Sequence, residues 1–125
     1  MSDKNAYESG KQKVIPAVLL YAFFENKVLM IHRNQKQNDF HEGKWNGLGG
    51  KLDLGESSLD CTVREFEEES GCITTTEQWK WAGHLSFPNF KPHKNEDWNV
   101  TVFQTTLTAE QHQKIIINNK EGTLH

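Results

Sequence analysis

The chain has 125 residues, 35% hydrophobic, 25% charged and 10% aromatic, which excludes a disordered chain and predicts one globular domain. Its 17 acidic and 14 basic residues give a net charge of −3, and this near balance argues against a nucleic-acid polymer as partner. The longest apolar run, Val14–Phe24, is about half of the ~20 residues that a membrane span requires, so no membrane partner is predicted.

The segment 1–13 is polar and lacks the apolar stretch that signal peptides carry. We therefore predict a flexible leader over residues 1–13 and a single domain over residues 14–125. The two cysteines, Cys61 and Cys72, show no metal-ligand spacing. They are predicted to be reduced thiols, which is typical of a cytoplasmic protein.

Strands and turns are predicted ahead of the first helix. Val14–Phe24 is rich in β-branched and aromatic residues and is predicted to be a buried strand, with Glu25-Asn26 as the turn into a returning strand over Lys27–Arg33. The polar stretch Asn34–Lys44 is predicted to be a loop. Trp45–Leu52 is strand-like but contains three glycines, which mark a bulge or a close approach of the backbone.

A helix is predicted over Ser57–Ser70. Serines can cap its first turn, and Gly71 is a typical stop signal. Apolar spacing predicts a core-facing stripe of Leu59, Thr62, Val63, Phe66 and Ser70. Three glutamates, Glu65, Glu68 and Glu69, fall together on another side of the helix, at i, i+3 and i+4.

The remaining sequence predicts short elements. Strands are expected at Cys72–Thr76, Trp79–Phe87 and Asn99–Leu107, a polar loop at Pro88–Trp98, a helical turn at Thr108–Gln113, a short strand at Ile115–Ile117 and a turn at Asn118-Asn119. One long helix between strands indicates an α/β or α+β layered domain with a mixed sheet.

Acidic residues are concentrated between Gly50 and Cys72, where seven carboxylates accompany only Lys51 and Arg64. A charge run of this kind is usually a solvated surface. The neighbouring glycines favour a second interpretation, since they allow a phosphate chain and its metal to approach the backbone. Mg²⁺ prefers carboxylates, waters and substrate phosphates as ligands.

The segment GKLDLGESSLDCTVREFEEESGC resembles the Nudix box, G-x5-E-x7-R-E-U-x-E-E-x-G-U, where U is a bulky aliphatic residue. The fixed positions are Gly50, Glu56, Arg64, Glu65, Glu68, Glu69 and Gly71. The two U positions hold Phe66 and Cys72, which are mild departures from the pattern and concern helix packing. The longer segment HRNQKQNDFHEGKWNGLGGKLDLGE is similar to the MutT-type branch, which hydrolyses 8-oxo-dGTP.

This resemblance implies a Nudix-type α/β/α sandwich with a mixed sheet and a requirement for Mg²⁺ or Mn²⁺. The implied substrate is a small-molecule nucleotide, a nucleoside diphosphate linked to a further group. Two alternatives stay open: a different Nudix substrate, such as a nucleotide sugar, a dinucleoside polyphosphate or ADP-ribose, and a non-catalytic nucleotide-binding module. An intact box argues against the binding module.

The resemblance also implies roles for individual residues. Metal ligands would be Glu65, Glu68, Glu69, the carbonyl group of Gly49 and, late in the chain, Glu121, which could instead be part of a turn. Glu65 is also the candidate to orient or deprotonate the attacking water. Glu56 and Arg64 would pair and hold the loop–helix–loop in shape.

Substrate-binding candidates lie ahead of the box. Arg33 matches a phosphate-binding cation, and Asn46 a residue that reads the purine edge, for which an amide offers both a donor and an acceptor. Trp45 and Lys51 are the other two candidates for contact with the substrate. Each has a simpler alternative, since Arg33 could be a surface cation, Trp45 a packing residue and Asn46 a turn residue.

The chain ends at Leu124-His125, where relatives of the resembling type continue into a second helix. We therefore expect this C-terminal helix to be missing, through truncation or natural absence. One sheet face would then be bare, and an exposed apolar face favours a homodimer.

Overall fold

The computed structural model describes residues 5–33, 44–46, 48–115, 118–119 and 122–124, with side chains over 5–30 and 48–115. The strands are β1 (Lys13–Phe24), β2 (Lys27–Val28), β3 (Ile31–Arg33), β4 (Lys44–Asn46), β5 (Leu48–Lys51), β6 (Lys80–Lys91), β7 (Glu96–Thr106), β8 (Asn118–Asn119) and β9 (Gly122–Leu124). The helices are α1 (Ser58–Ser70) and α2 (Ala109–Gln113), with 3₁₀ turns at Thr76–Gln78 and Pro92–Lys94. None of the helices in these ranges is long and apolar enough to cross a membrane.

The main sheet is mixed and centred on β1. Strand β7 runs parallel to β1 and pairs with β6 on its other side, while β5 and β2 pair antiparallel with β1. A second sheet has the order β4-β3-β9-β8. The predicted α+β class with a mixed sheet is therefore confirmed.

Helix α1 covers one face of the main sheet. Ser57 caps its start by accepting a hydrogen bond from the backbone N–H of Asp60 (3.0 Å), and Gly71 ends it in the left-handed conformation (φ 78°). Its apolar anchor is Phe66, which is fully buried and meets Trp79 edge to face at 5.2 Å. Burial of such a side chain stabilises the fold by about 1.5–3 kcal/mol.

Several predicted elements are wrong in ways that have a physical cause. Cys72–Thr76 was expected to be a strand but pairs with none of the described strands. Instead, the buried Thr74 hydroxyl accepts a hydrogen bond from the Trp79 indole N–H (2.8 Å), and the segment connects α1 to the 3₁₀ turn at Thr76–Gln78. Asn118-Asn119, predicted to be a turn, pairs with β9. Most of Ile115–Ile117 and of Asn34–Lys44 lies outside the described residues.

The largest correction concerns Pro88–Trp98, which was expected to be a polar loop. Strand β6 continues through Pro88 to Lys91, and β7 begins at Glu96, so the hairpin is much longer than predicted. Polar composition misled the prediction, because an exposed hairpin needs only one apolar face. The helical turn at Thr108 is confirmed, including its capping box with Gln111.

The amino-terminal segment contacts this hairpin. Residues 5–12 form turns, and the side chains of Tyr7 and Gln12 both hydrogen-bond the carboxylate of Asp97. Flexibility of the leader stays a prediction.

Candidate active site

Helix α1 presents two glutamates to the glycine-rich strand β5. Glu69 is only 5% exposed, and its carboxylate accepts a hydrogen bond from the backbone N–H of Gly49 (3.0 Å). The sequence placed Glu69 away from the core-facing stripe of the helix, whereas the structure buries it against the strand. Burying a carboxylate costs free energy unless hydrogen bonds compensate, so the bond from the Gly49 N–H helps to hold Glu69 in this buried position.

Glu65 lies one helical turn earlier and covers the next glycine. A Cβ atom added to Gly50 would lie 2.2 Å from a carboxylate oxygen of Glu65. A Cβ added to Gly49 would lie 2.2 Å from the carbonyl oxygen of Val18 on the neighbouring strand. The two glycines therefore allow β5 to pack tightly, against β1 on one side and against a charged side chain on the other.

Arg64 connects the carboxylates of this region. Its guanidinium donates two hydrogen bonds to Glu56 (2.7 and 2.9 Å), one to Glu68 (2.9 Å) and one to Glu65 (3.2 Å). It also donates to the carbonyl oxygen of Lys51 (3.2 Å). A planar guanidinium suits this task because its donors form a rigid fork. The loop before α1 is thereby tied to the helix and to the end of β5.

These contacts perturb the titration of the groups involved. The hydrogen bonds from Arg64, followed by the one from the backbone N–H of Asp53, lower the pKa of Glu56 from 4.5 to about 2. The carboxylates of Glu56, Glu68 and Glu65 in turn raise the pKa of Arg64. Burial raises the pKa of the Cys61 thiol to about 12, so it is protonated at neutral pH and poorly suited as a nucleophile.

A divalent cation such as Mg²⁺ requires several oxygen donors around one point. Among the described residues, no three His, Cys, Asp or Glu side chains converge in a preformed metal site. Two hard oxygen donors, Glu65 and Glu69, nevertheless lie along consecutive glycines, and the Cβ-free Gly50 provides the space for one of them. A third, Glu68, is 57% exposed and bound to Arg64. This chemistry fits Mg²⁺ or Mn²⁺.

The predicted substrate-binding residues are described to different extents. Lys51 places its ammonium group 5.7 Å from the ring centre of Trp98. Arg33, Trp45 and Asn46 lie in β3 and β4, where Arg33 pairs with Lys44 and Asn46 with Ile31, and their side chains lie outside the description. So does Glu121 as a whole.

An aromatic groove lies on the sheet face opposite to α1. Its volume is about 260 Å³, and it is lined by Ala17, Val18, Leu19, Gly50, Leu85, Phe87, Phe90, Trp98 and Val100. The rings of Phe87 and Phe90 lie 5.2 Å apart, and Phe90 meets Trp98 at 5.8 Å. Lys91 approaches the Trp98 ring to 4.9 Å. This groove is apolar within and cationic at its rim.

This groove was not predicted from the sequence. Leu85 and Phe87 alternate along a predicted strand, which is the usual signal for one shared face. Phe90 and Trp98 fell within the expected loop and were therefore not assigned to any face. The glycine stretch gave the only hint, because Gly50 also lines the groove.

Comparison with known proteins agrees with this geometry. Residues 13–123 match the NUDIX domain family. The chain is 29% identical over 112 residues to the CTP pyrophosphohydrolase of Escherichia coli, covering 90% of this chain and 81% of that protein. It is 44% identical over 52 residues to the oxidized purine nucleoside triphosphate hydrolase of Mus musculus, which is 42% of this chain and 32% of the mouse protein.

Among solved structures, a MutT/nudix family protein from Enterococcus faecalis superposes with a TM-score of 0.74 at 21% identity. That match covers 99% of this chain but 46% of the E. faecalis chain, and it bears on the fold alone. The family match spans most of the sequence and includes the glutamates, Arg64 and glycines described above. The chain therefore belongs to the NUDIX domain family and is a Nudix hydrolase.

Proposed function

We propose that this chain hydrolyses a nucleoside triphosphate to a monophosphate and pyrophosphate, with 8-oxo-dGTP or a related oxidised purine nucleotide as substrate and Mg²⁺ or Mn²⁺ as cofactor. One observation carries the proposal: Gly50 is shared by two neighbouring features. Its α-carbon lies under the Glu65 carboxylate, and its backbone lines the aromatic groove. Among the described strands β5 pairs only with β1, and we propose that the substrate passes around the other edge of β5 from one feature to the other.

The phosphate end of the substrate would lie at the carboxylates. Glu65, Glu68, Glu69 and the Gly49 carbonyl group would hold the cation, which when bound neutralises phosphate oxygens and lowers the pKa of water. Glu65 is the candidate to accept the proton as the water oxygen bonds to phosphorus and the bridging P–O bond breaks. Arg64 keeps the carboxylates in place through its hydrogen bonds. The Lys51 ammonium, 5.7 Å from the ring centre of Trp98, would supply positive charge near the end of β5.

The base would lie in the aromatic groove. Phe87, Phe90 and Trp98 expose ring faces and edges there, and stacking on an aromatic ring contributes about 1–3 kcal/mol per base. The groove volume of about 260 Å³ suits one base and its sugar, as expected for a small-molecule nucleotide. The homodimer through an uncovered sheet face and the cytoplasmic location stay predictions.

CTP is the second candidate substrate. The match to the CTP pyrophosphohydrolase of Escherichia coli extends over 112 residues. The match to the mouse oxidized purine nucleoside triphosphate hydrolase extends over 52 residues. A cytosine ring would use the same groove with less stacking area. The two candidates therefore differ in the nucleotide they favour and share the phosphate chemistry.

A nucleotide panel tests the proposal. The chain is incubated with 8-oxo-dGTP, dGTP, CTP and ADP-ribose in millimolar Mg²⁺, and monophosphate and pyrophosphate are quantified, with excess EDTA as the control. We expect 8-oxo-dGTP to be cleaved at least about tenfold faster than dGTP, a difference of about 1.4 kcal/mol in transition-state binding. Preferred cleavage of CTP would select the second candidate. Binding without products would refute hydrolysis.

A further inference from the structure

The aromatic groove depends on an irregularity in β6. Phe87 pairs with Trp98 and Lys91 pairs with Glu96, so three residues of β6, namely Pro88, Asn89 and Phe90, face the single residue Asp97 of β7. In a regular strand, side chains three positions apart point to opposite faces. The bulge reverses this, and the rings of Phe87 and Phe90 come together at 5.2 Å.

Asp97 holds the bulge through its side chain. One carboxylate oxygen accepts a hydrogen bond from the backbone N–H of Asn89 (2.7 Å) and another from the Gln12 amide (2.9 Å). The other oxygen accepts from the Tyr7 hydroxyl. Asn89 has a positive φ of 52°, a conformation that persists only where surrounding contacts favour it.

The carboxylate itself points away from the groove. Asp97 and Trp98 are consecutive in β7, so their side chains lie on opposite faces of the sheet. Asp97 therefore does not line the groove, and its link to the groove wall is the hydrogen bond to the backbone of the bulge. Its partners Tyr7 and Gln12 come from the segment ahead of β1, about 90 and 85 positions away.

We propose that Asp97 is a positioning residue for the base: by bonding the Asn89 backbone it sets the Phe87–Phe90–Trp98 wall, and so it determines selectivity for the base without affecting the phosphate end. This inference rests on the proposed function for its kinetic consequence. The structural half, that Asp97 holds the bulge, is independent of any substrate. The two halves are therefore tested separately.

The kinetic test compares Asp97→Ala with wild type. We expect KM for the preferred nucleotide to rise about tenfold with kcat within twofold, as for the loss of a contact equal in ground and transition states. Inhibition by inorganic tripolyphosphate, which has no base, should be unchanged. Asp97→Asn retains an acceptor for the Asn89 N–H and should restore KM to within about threefold of wild type. Equal losses for nucleotide and tripolyphosphate would overturn the proposal, as would an unchanged KM.

Asn99→Ala is the matched control. Asn99 lies two residues along the same strand and on the same face, and it accepts a cross-strand hydrogen bond from Ser86 (3.3 Å) without touching the bulge. It should leave KM unchanged. If the Asp97→Ala chain does not fold, Asp97→Thr keeps a residue that favours strands and is scored by the same criteria.

Hydrogen exchange decides the structural half. In wild type the Asn89 amide should exchange at least about tenfold more slowly than in Asp97→Ala, since its hydrogen bond to Asp97 must open first. An Asn89 amide that exchanges equally fast in both proteins overturns the role of Asp97. If wild type cleaves none of the nucleotides, the proposed function fails, and this exchange measurement still decides whether Asp97 holds the bulge.

Discussion

The α1–β5 region and the β6–β7 hairpin contribute opposite chemistry to the two sides of one sheet. In the first, charged side chains are fixed by a helix and by hydrogen bonds to the strand, as for Glu69 on Gly49. In the second, aromatic side chains are gathered by a bulge held by Asp97, whose carboxylate also bonds Tyr7 and Gln12 from the distant amino-terminal segment. Reaction chemistry can thus be carried by residues close together in sequence, whereas a recognition surface depends on contacts between distant segments.

The largest effect is expected from Glu69→Gln. Glutamine keeps an oxygen that can accept the Gly49 N–H but loses the charge that a cation requires, so kcat should fall by about 10²–10⁴ while the chain still folds. The measurement is steady-state hydrolysis in millimolar Mg²⁺ together with a thermal melt. Glu67→Gln, on the exposed side of the same helix, is the control. Near-native turnover of Glu69→Gln would refute its assignment as a ligand.

Gly50→Ala should damage the carboxylate side selectively. The new Cβ would meet the Glu65 carboxylate at 2.2 Å, so that side chain must move, and we expect kcat to fall about 10²-fold because small misplacements of catalytic groups have effects of this size. Gly83→Ala is the matched control, since a Cβ atom at that position would meet no other atom within 4 Å, and its activity should equal that of wild type. Equal activity of the two variants would show that the position of Glu65 does not matter.

Phe90→Ala tests the aromatic side by itself. The ring is 52% exposed and contacts Phe87 and Trp98, so its loss should raise KM about tenfold through lost stacking, with kcat nearly unchanged. Trp81→Ala removes an aromatic side chain of similar exposure, 67%, that is not in the groove, and should leave KM as it is. A fall in kcat without a change in KM would contradict the separation of the two regions.

The smallest effect concerns acid stability. Because the pKa of Glu56 falls from 4.5 to about 2 on folding, the ionised carboxylate stabilises the fold fully above pH 4.5, and this contribution is lost as pH falls towards 2. Glu56→Gln should therefore melt a few degrees below wild type at pH 7 and approach it near pH 2. Thermal melts across this range give the answer, and a difference that does not depend on pH would contradict the ion pair.

The sequence allowed a good prediction of the α+β class, β1, the helix and its caps, because periodicity and capping signals are local properties. It could not predict that Glu69 is buried, since that depends on where β5 lies against α1. It placed Phe90 and Trp98 in a loop because their neighbours are polar, and nothing near Asp97 in sequence indicates its contacts with Tyr7 and Gln12. Features that depend on contacts between distant segments were the ones missed.

The most direct test is a crystal structure of the chain with Mg²⁺ and a non-hydrolysable nucleoside triphosphate. One ligand should span both regions, with its base against Phe90 and Trp98 and its phosphates and cation at Glu65 and Glu69, passing the edge of β5 at Gly50. A base bound outside the groove, or phosphates held away from those carboxylates, would contradict the claim that the two regions serve one substrate.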